Sequence, residues 1–152
     1  MQTSLLWVKA SMKLLLFDIG SNSVRTLKVT QDANAEPHFS AKHVYTTRLA
    51  EGLAETGVLS SARMLQSLLV IRSLNSENTT QGFSSYAYAT SAVRDAANGE
   101  DFIRSVEEII GKNHARILTG SEEATFAQQG ANPDADRIIL DIGGGSTQLV
   151  RP

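Results

Sequence analysis

Apolar positions along the chain recur with two different periods, and the changes of period outline a succession of strands and helices. Lys13 to Phe17 is a nearly continuous apolar run closing on Asp18, and Val24 to Thr30 is rich in β-branched residues. The Gly20-Ser21-Asn22-Ser23 stretch between them predicts a β-hairpin. Pro37 to Thr47 predicts a third strand. Beyond Ser60 and Ser61, either of which can cap a helix, Met64, Leu65, Leu68, Leu69 and Ile71 to Leu74 recur at helical spacing up to the polar Asn75-Ser76-Glu77-Asn78 cluster. Phe83 to Ala89 reads as a strand, and Gly99 to Ile110 as a helix with Phe102, Ile103, Val106 and Ile110 on one face and Gly111 at its end. Ala115 to Thr119 predicts a short strand. Ser121 is expected to cap a helix that begins Glu122-Glu123 and runs to about Gln129, and Arg137 to Leu140 enters Asp141 as a strand with Thr147 to Val150 as its hairpin partner.

Alternating strands and helices place the chain in the α/β class. Its 152 residues suffice for one ordinary domain, or for one domain and the start of another. Hydrophobic residues at 41%, charged residues at 20% and a net charge of −2 are globular values with no polyelectrolyte signature, so no DNA partner is expected. Without cysteine there is no disulfide, thiolate metal site or cysteine nucleophile. His38, His43 and His114 lack metal-ligand spacing. The opening MQTSLLWVKASMKLLLF is interrupted by Lys9 and Lys13 and falls short of the roughly 18 apolar residues of a membrane span, so a cytoplasmic protein with no membrane partner is expected. Residues 1–12 read as a loose tail or an over-extended start, because the strand pattern begins just after Met12.

The chain contains its own internal echo. FDIGSNSVRTLKV near one end and LDIGGGSTQLV near the other share an apolar run, Asp-Ile-Gly, a small polar turn and a second apolar strand. One such turn reads most simply as a hairpin. Two together point to phosphate chemistry, because successive N–H groups in glycine-rich turns form anion nests, and a carboxylate beside each nest can hold a divalent ion against phosphate oxygens. Gly20, Ser21 and Asn22 would present donors from one side, and Gly143, Gly144, Gly145 and Ser146 from the other. Asp18 and Asp141 are then candidate Mg²⁺ ligands, with a turn-capping role as the simpler alternative.

The two hairpins resemble the phosphate-binding loops of the actin-like ATPase superfamily. The ordered set DIGSNSVR (Asp18 to Arg25), ATSAVRDAANGEDF (Ala89 to Phe102), GSEEA (Gly120 to Ala124) and DIGGGST (Asp141 to Thr147) resembles the exopolyphosphatase and guanosine pentaphosphate phosphohydrolase family. The resemblance implies an actin-like, ribonuclease H-like lobe over residues 13–131, with a mixed sheet flanked by helices. Residues 132–152 would then be the first strand or hairpin of a second, truncated lobe. It implies hydrolysis of terminal phosphoanhydride bonds of inorganic polyphosphate or guanosine pentaphosphate with Mg²⁺, and a full-length protein that is a candidate homodimer. Little turnover is expected from this chain alone, because its motifs would form half a cleft.

The resemblance also distributes roles. It makes Glu123 the base that orients and deprotonates the attacking water, and Arg94 a phosphate ligand. By residue chemistry alone, Arg94 equally suits an ion pair with Asp95 or another acid, and Glu122 and Glu123 both suit the positive end of a helix dipole. Thr125 and Gln148 depart from the family's usual arginine and glutamate, and Gln148 lacks a carboxylate that could assist metal or water. A non-catalytic polyphosphate- or nucleotide-binding module is the alternative from another class. A sugar or acetate kinase fits less well, since those enzymes do not share GSEEA and ATSAVRD in this order.

Overall fold

The computed structural model describes residues 11–131 and 138–150. The first two strands, β1 (Met12–Ile19) and β2 (Ser23–Gln31), form the expected antiparallel hairpin, in register from Met12↔Gln31 to Ile19↔Val24. The tail expected for residues 1–12 falls mostly outside the described residues, and Met12 at its edge already belongs to β1. Pro37 to Thr47 is two short strands rather than one, β3 (His38–Phe39) and β4 (His43–Thr46), both antiparallel to β2. Phe39 pairs with Val29 and His43 with Thr26, so one extra residue lies on the outer strand, a bulge. Ser40 marks the break: its hydroxyl accepts the Lys28 N–H at 3.0 Å.

After β4, a one-turn helix α1 (Leu53–Thr56) sits between Gly52 (φ 80°) and Gly57 (φ 71°), whose left-handed backbone bounds it on both sides. Helix α2 (Ser61–Thr79) is capped by Ser60, whose hydroxyl accepts the Arg63 N–H at 3.4 Å. It runs straight through the Asn75–Asn78 cluster. There Asn78 Nδ2 donates back to the Leu74 carbonyl at 2.7 Å and Asn75 Nδ2 donates to the Ile109 carbonyl at 3.0 Å, so both amide nitrogens have partners without ending the helix. Its buried seam is Ser67, Ile71 and Asn78, with Met64, Leu68 and Leu74 partly covered, whereas Leu65 and Leu69 face outward at 58% and 56% exposure. The helical period was therefore correctly legible, but not which stripe packs.

Strand β5 (Ser84–Ala89) pairs parallel with β1, from Leu14↔Ser84 to Ile19↔Ala89. A short helix α3 (Ser91–Asp95), not anticipated from the sequence, leads into α4 (Gly99–Ile110), which buries the expected Phe102, Ile103, Val106 and Ile110 and ends at Gly111. Strand β6 (Ala115–Ile117) adds parallel to β5, giving the order β3-β2-β1-β5-β6 with β4 also on β2. Leu15, Phe17 and Ile19 of β1 and the small Ala87 and Ala89 of β5 form the core with Ile71, Phe102 and Val106 of α2 and α4. Burying such side chains contributes roughly 1.5–3 kcal/mol each.

Helix α5 (Gly120–Ala131) is capped by Thr119, two residues before the expected Ser121. The Glu122 N–H donates to Thr119 Oγ1 at 3.2 Å while the Thr119 N–H donates to Glu122 Oε2 at 2.9 Å, a reciprocal capping box. Strands β7 (Ile139–Ile142) and β8 (Thr147–Val150) form a separate two-stranded antiparallel sheet, with Asp141 inside β7. Arg137, expected to open that strand, lies outside the described residues. The α/β class and the mixed sheet flanked by helices are as expected. Among the described residues no helix is long and apolar enough to cross a membrane.

Candidate functional site

Four strands each contribute one residue to a single row across the sheet. Asp18 of β1 pairs with Arg25 of β2 and with Tyr88 of β5, and Tyr88 pairs with Arg116 of β6. Direct cross-strand neighbours share a face, so these four lie on the side opposite Leu15, Phe17 and Ile19. Contacts follow the row: Arg25 Nη1 is 3.5 Å from Asp18 Oδ2, and the Arg116 guanidinium is 5.6 Å from the centre of the Tyr88 ring. Asp18 stands near the carboxyl end of β1, beside the ends of the parallel strands β5 and β6, where α/β sheets leave a crevice for ligands.

A cavity of about 400 Å³ opens there. Its walls include Asp18 and the Gly20–Ser23 turn, Asp141 with Gly143, Gly144 and Ser146 of the second turn, and Glu123 of α5. The two turns are built alike. Gly20 N–H donates to the Ser23 carbonyl at 3.0 Å, and Gly143 N–H donates to the Ser146 carbonyl at 2.8 Å. Asp18 and Asp141 occupy the same register position, opposite Arg25 and Gln148 respectively. These bonds use the Gly20 and Gly143 N–H groups to close the turns. Among the described residues, the N–H groups of Ser21, Asn22, Gly144 and Gly145 have no backbone acceptor, and they are the donors the turns leave open.

The turns also touch. Ser21 and Ser91, both buried, bring their hydroxyls to 3.1 Å, and Gly145 packs against them. A Cβ at Gly145 would land on the Ser21 hydroxyl and lie 3.0 Å from Ser21 Cβ and 3.1 Å from Ser91 Oγ. One at Gly144 would lie 3.2 Å from Asn22 Cβ. Close approach is therefore the reason for glycine at 145.

The adjacent glutamates separate cleanly. Glu122 accepts from Arg116 at 2.6 Å and from the N–H and hydroxyl of Thr119 at 2.9 and 3.0 Å. The Thr119 N–H, then Arg116 and the Thr119 hydroxyl, hold its carboxyl down at about 2. Glu123 instead lines the cavity with its side chain 16% exposed, and its Oε2 accepts from Arg94 Nη1 at 3.1 Å. Arg94 Nη1 also donates to the Leu118 carbonyl at 2.8 Å, and its Nε lies 3.7 Å from Asp95 Oδ1. Arg94 thus stands behind Glu123 and is not one of the residues lining the cavity.

Burial pushes the Asp18 carboxyl above its ordinary range; Arg25 pulls it back, and the Glu123 and Asp141 carboxylates add to the rise. Three carboxylates therefore converge on the cavity, and a cation would relieve their repulsion. Among the described residues no three His, Asp or Glu side chains are arranged to hold a metal by themselves. Two carboxylates with water and substrate oxygens nevertheless match how Mg²⁺ is ordinarily held. The donor set of Asp18 and Asp141 fits that ion.

The family model described as the Ppx/GppA phosphatase family matches residues 28–151. The chain belongs to the Ppx/GppA phosphatase family. A guanosine-5'-triphosphate,3'-diphosphate pyrophosphatase of Aliivibrio fischeri is 31% identical over 144 residues, covering 88% of this chain and 27% of that protein. Exopolyphosphatase 1 of Mycobacterium tuberculosis is 33% identical over 144 residues, covering 91% and 42%. The crystal structure of an Aquifex aeolicus Ppx/GppA family member superposes with a TM-score of 0.75 at 25% identity, covering 90% of this chain and 46% of that one. An exopolyphosphatase from Cytophaga hutchinsonii shares the fold, with a TM-score of 0.80 at 22% identity. The chain spans less than half the length of each of these Ppx/GppA proteins.

Thr125 and Gln148 each have a defined local setting. Thr125 turns its hydroxyl back to the Ser121 carbonyl at 2.8 Å, along its own helix. Gln148, opposite Asp141, buries an Oε1 that has no hydrogen-bond partner among the described residues. Sequence reasoning singled out neither Arg25 nor Tyr88, Ser91 and Phe126, all of which line the cavity. Arg25 was signalled by strand alternation, two residues past the turn. Tyr88 and Phe126 depended on a parallel register and a helix placement that local pattern does not encode.

Proposed function

We propose that this chain is the N-terminal lobe of a phosphohydrolase that releases the terminal phosphate of inorganic polyphosphate or guanosine pentaphosphate. The observation carrying this reading is the meeting of two equivalent Asp-Ile-Gly turns, each with open N–H donors and a carboxylate at its base, around a cavity that Glu123 also lines. The open N–H groups of Ser21, Asn22, Gly144 and Gly145, with the Ser146 hydroxyl, bind the phosphate oxygens, and the Gly20 and Gly143 bonds hold the turns in shape. Asp18 and Asp141 would hold Mg²⁺, which supplies charge neutralisation on the phosphate oxygens. Residues 132–152 begin the facing lobe.

Glu123 Oε1 accepts a proton from the attacking water as its oxygen bonds to the terminal phosphorus and the bridging P–O bond breaks toward the remaining chain. Arg94, behind the cavity wall, fixes the Glu123 carboxylate through Oε2, so its role is to position the base and not to hold phosphate. Glu123→Gln in the protein carrying this lobe should lower hydrolysis by roughly 10²–10⁴-fold while substrate affinity changes little. Glu122→Gln, which touches the helix cap instead, should leave hydrolysis within severalfold. Equal losses in the two variants, or an unchanged rate with Glu123→Gln, refute the assignment. The buried Gln148 oxygen, unpartnered among the described residues and standing where the resemblance implies a carboxylate, favours a second reading in which the lobe binds without turnover. Phosphate affinity with no Glu123-dependent hydrolysis would select it.

A further inference from the structure

The cavity is not uniformly polar. Beside Asp18, with which Tyr88 is paired, its lining also includes Tyr88, Leu118, Phe126 and Ala127. The Phe126 ring stands 6.3 Å from the Tyr88 ring, tilted by 60°. Arg116 lies over Tyr88 at 5.6 Å and is itself fixed by Glu122 at 2.6 Å. An aromatic corner and the phosphate-type turns thus line one cavity.

An inorganic polyphosphate chain gains nothing from that corner, since it presents only charged oxygens to solvent. Phe126 remains 47% exposed, on a helix position where a polar side chain would be better solvated. A ligand with a flat heterocycle at one end and phosphates at the other uses both walls. The volume of about 400 Å³ is within the range of small-molecule sites. Tilted aromatic pairs leave ring faces and edges against which a heterocycle can pack.

We propose that Tyr88 and Phe126 form a nucleobase subsite, and that they select a nucleoside polyphosphate over inorganic polyphosphate. The base packs against Phe126 and Tyr88 while its phosphates enter the Gly20–Ser23 and Gly143–Ser146 turns. This rests on the phosphate-binding reading above, and the two are separable by experiment.

The test is calorimetric titration of this chain with GTP and with inorganic tripolyphosphate, each in MgCl₂. GTP should bind at least about tenfold more tightly, and Phe126→Ala should remove roughly that tenfold from GTP while leaving tripolyphosphate unchanged. Tyr88→Phe, which keeps the ring, should retain the preference. Equal affinities for the two ligands, or a GTP preference indifferent to Phe126→Ala, overturn the subsite and leave the phosphate reading standing. Failure of both ligands to bind overturns the two together.

Discussion

Gly145→Ala is the most exacting perturbation of the contact between the two turns. The added methyl would occupy the place of the Ser21 hydroxyl and lie 3.0 Å from Ser21 Cβ and 3.1 Å from Ser91 Oγ, in a seam where both serines are buried. Crowding the two buried serines from this exposed position costs about 1–3 kcal/mol. Displacing the Ser21 hydroxyl also breaks its 3.1 Å bond to Ser91, adding about 1 kcal/mol. Urea denaturation should therefore report a loss of about 2–4 kcal/mol. Hydrogen exchange should locate the opening at residues 20–23 and 143–146. Ser21→Gly removes the hydroxyl and the Cβ together and leaves only the Ser91 approach, so combining it with Gly145→Ala should recover about 1–2 kcal/mol relative to additivity. Gly144→Ala, whose nearest neighbour is Asn22 Cβ at 3.2 Å, should cost less. A Gly145→Ala protein as stable as its parent, or strict additivity with Ser21→Gly, would refute the close packing of the turns.

Two further outcomes follow from the fold. Phe102→Ala empties a fully buried position between α4 and the sheet and should cost about 3–5 kcal/mol by denaturant titration; less than about 1 kcal/mol would contradict its place in the core. The cap of α5 should depend on pH. The Glu122 carboxyl sits at about 2 instead of 4.5, so its contribution is fully present above 4.5 and is lost as pH falls toward 2. The Thr119 amide resonance should follow that loss in Glu122-containing protein and be flat in Glu122→Gln.

Elements with one strong local cause were legible in the sequence. The β1–β2 and β7–β8 hairpins follow from glycine turns between apolar runs, and α4 from a clean helical stripe ending at Gly111. Local pattern failed where partners decide. Ser40 takes a ladder N–H and splits the third strand, Asn75 and Asn78 continue α2 through partners of their own, and Ser67 sits in the α2 seam while Leu65 and Leu69 face outward. The same holds for the site. Asp18, Asp141 and the turn residues could be found by their repetition, and Glu123 by its motif. The row joining Arg25, Asp18, Tyr88 and Arg116 depends on three strand registers, one of them between Asp18 and a strand residue 70 positions later, Tyr88.

The central claim is that the two Asp-Ile-Gly turns act as one clamp on phosphate. The most direct measurement is a titration of the ¹⁵N-labelled chain with MgCl₂ and inorganic tripolyphosphate, following amide resonances. The account predicts saturable, Mg²⁺-dependent shifts at Ser21, Asn22, Gly144 and Gly145 together, with one shared affinity, and their loss in Asp18→Asn. Shifts confined to one turn, shifts elsewhere on the surface, or no shifts at millimolar ligand would contradict it.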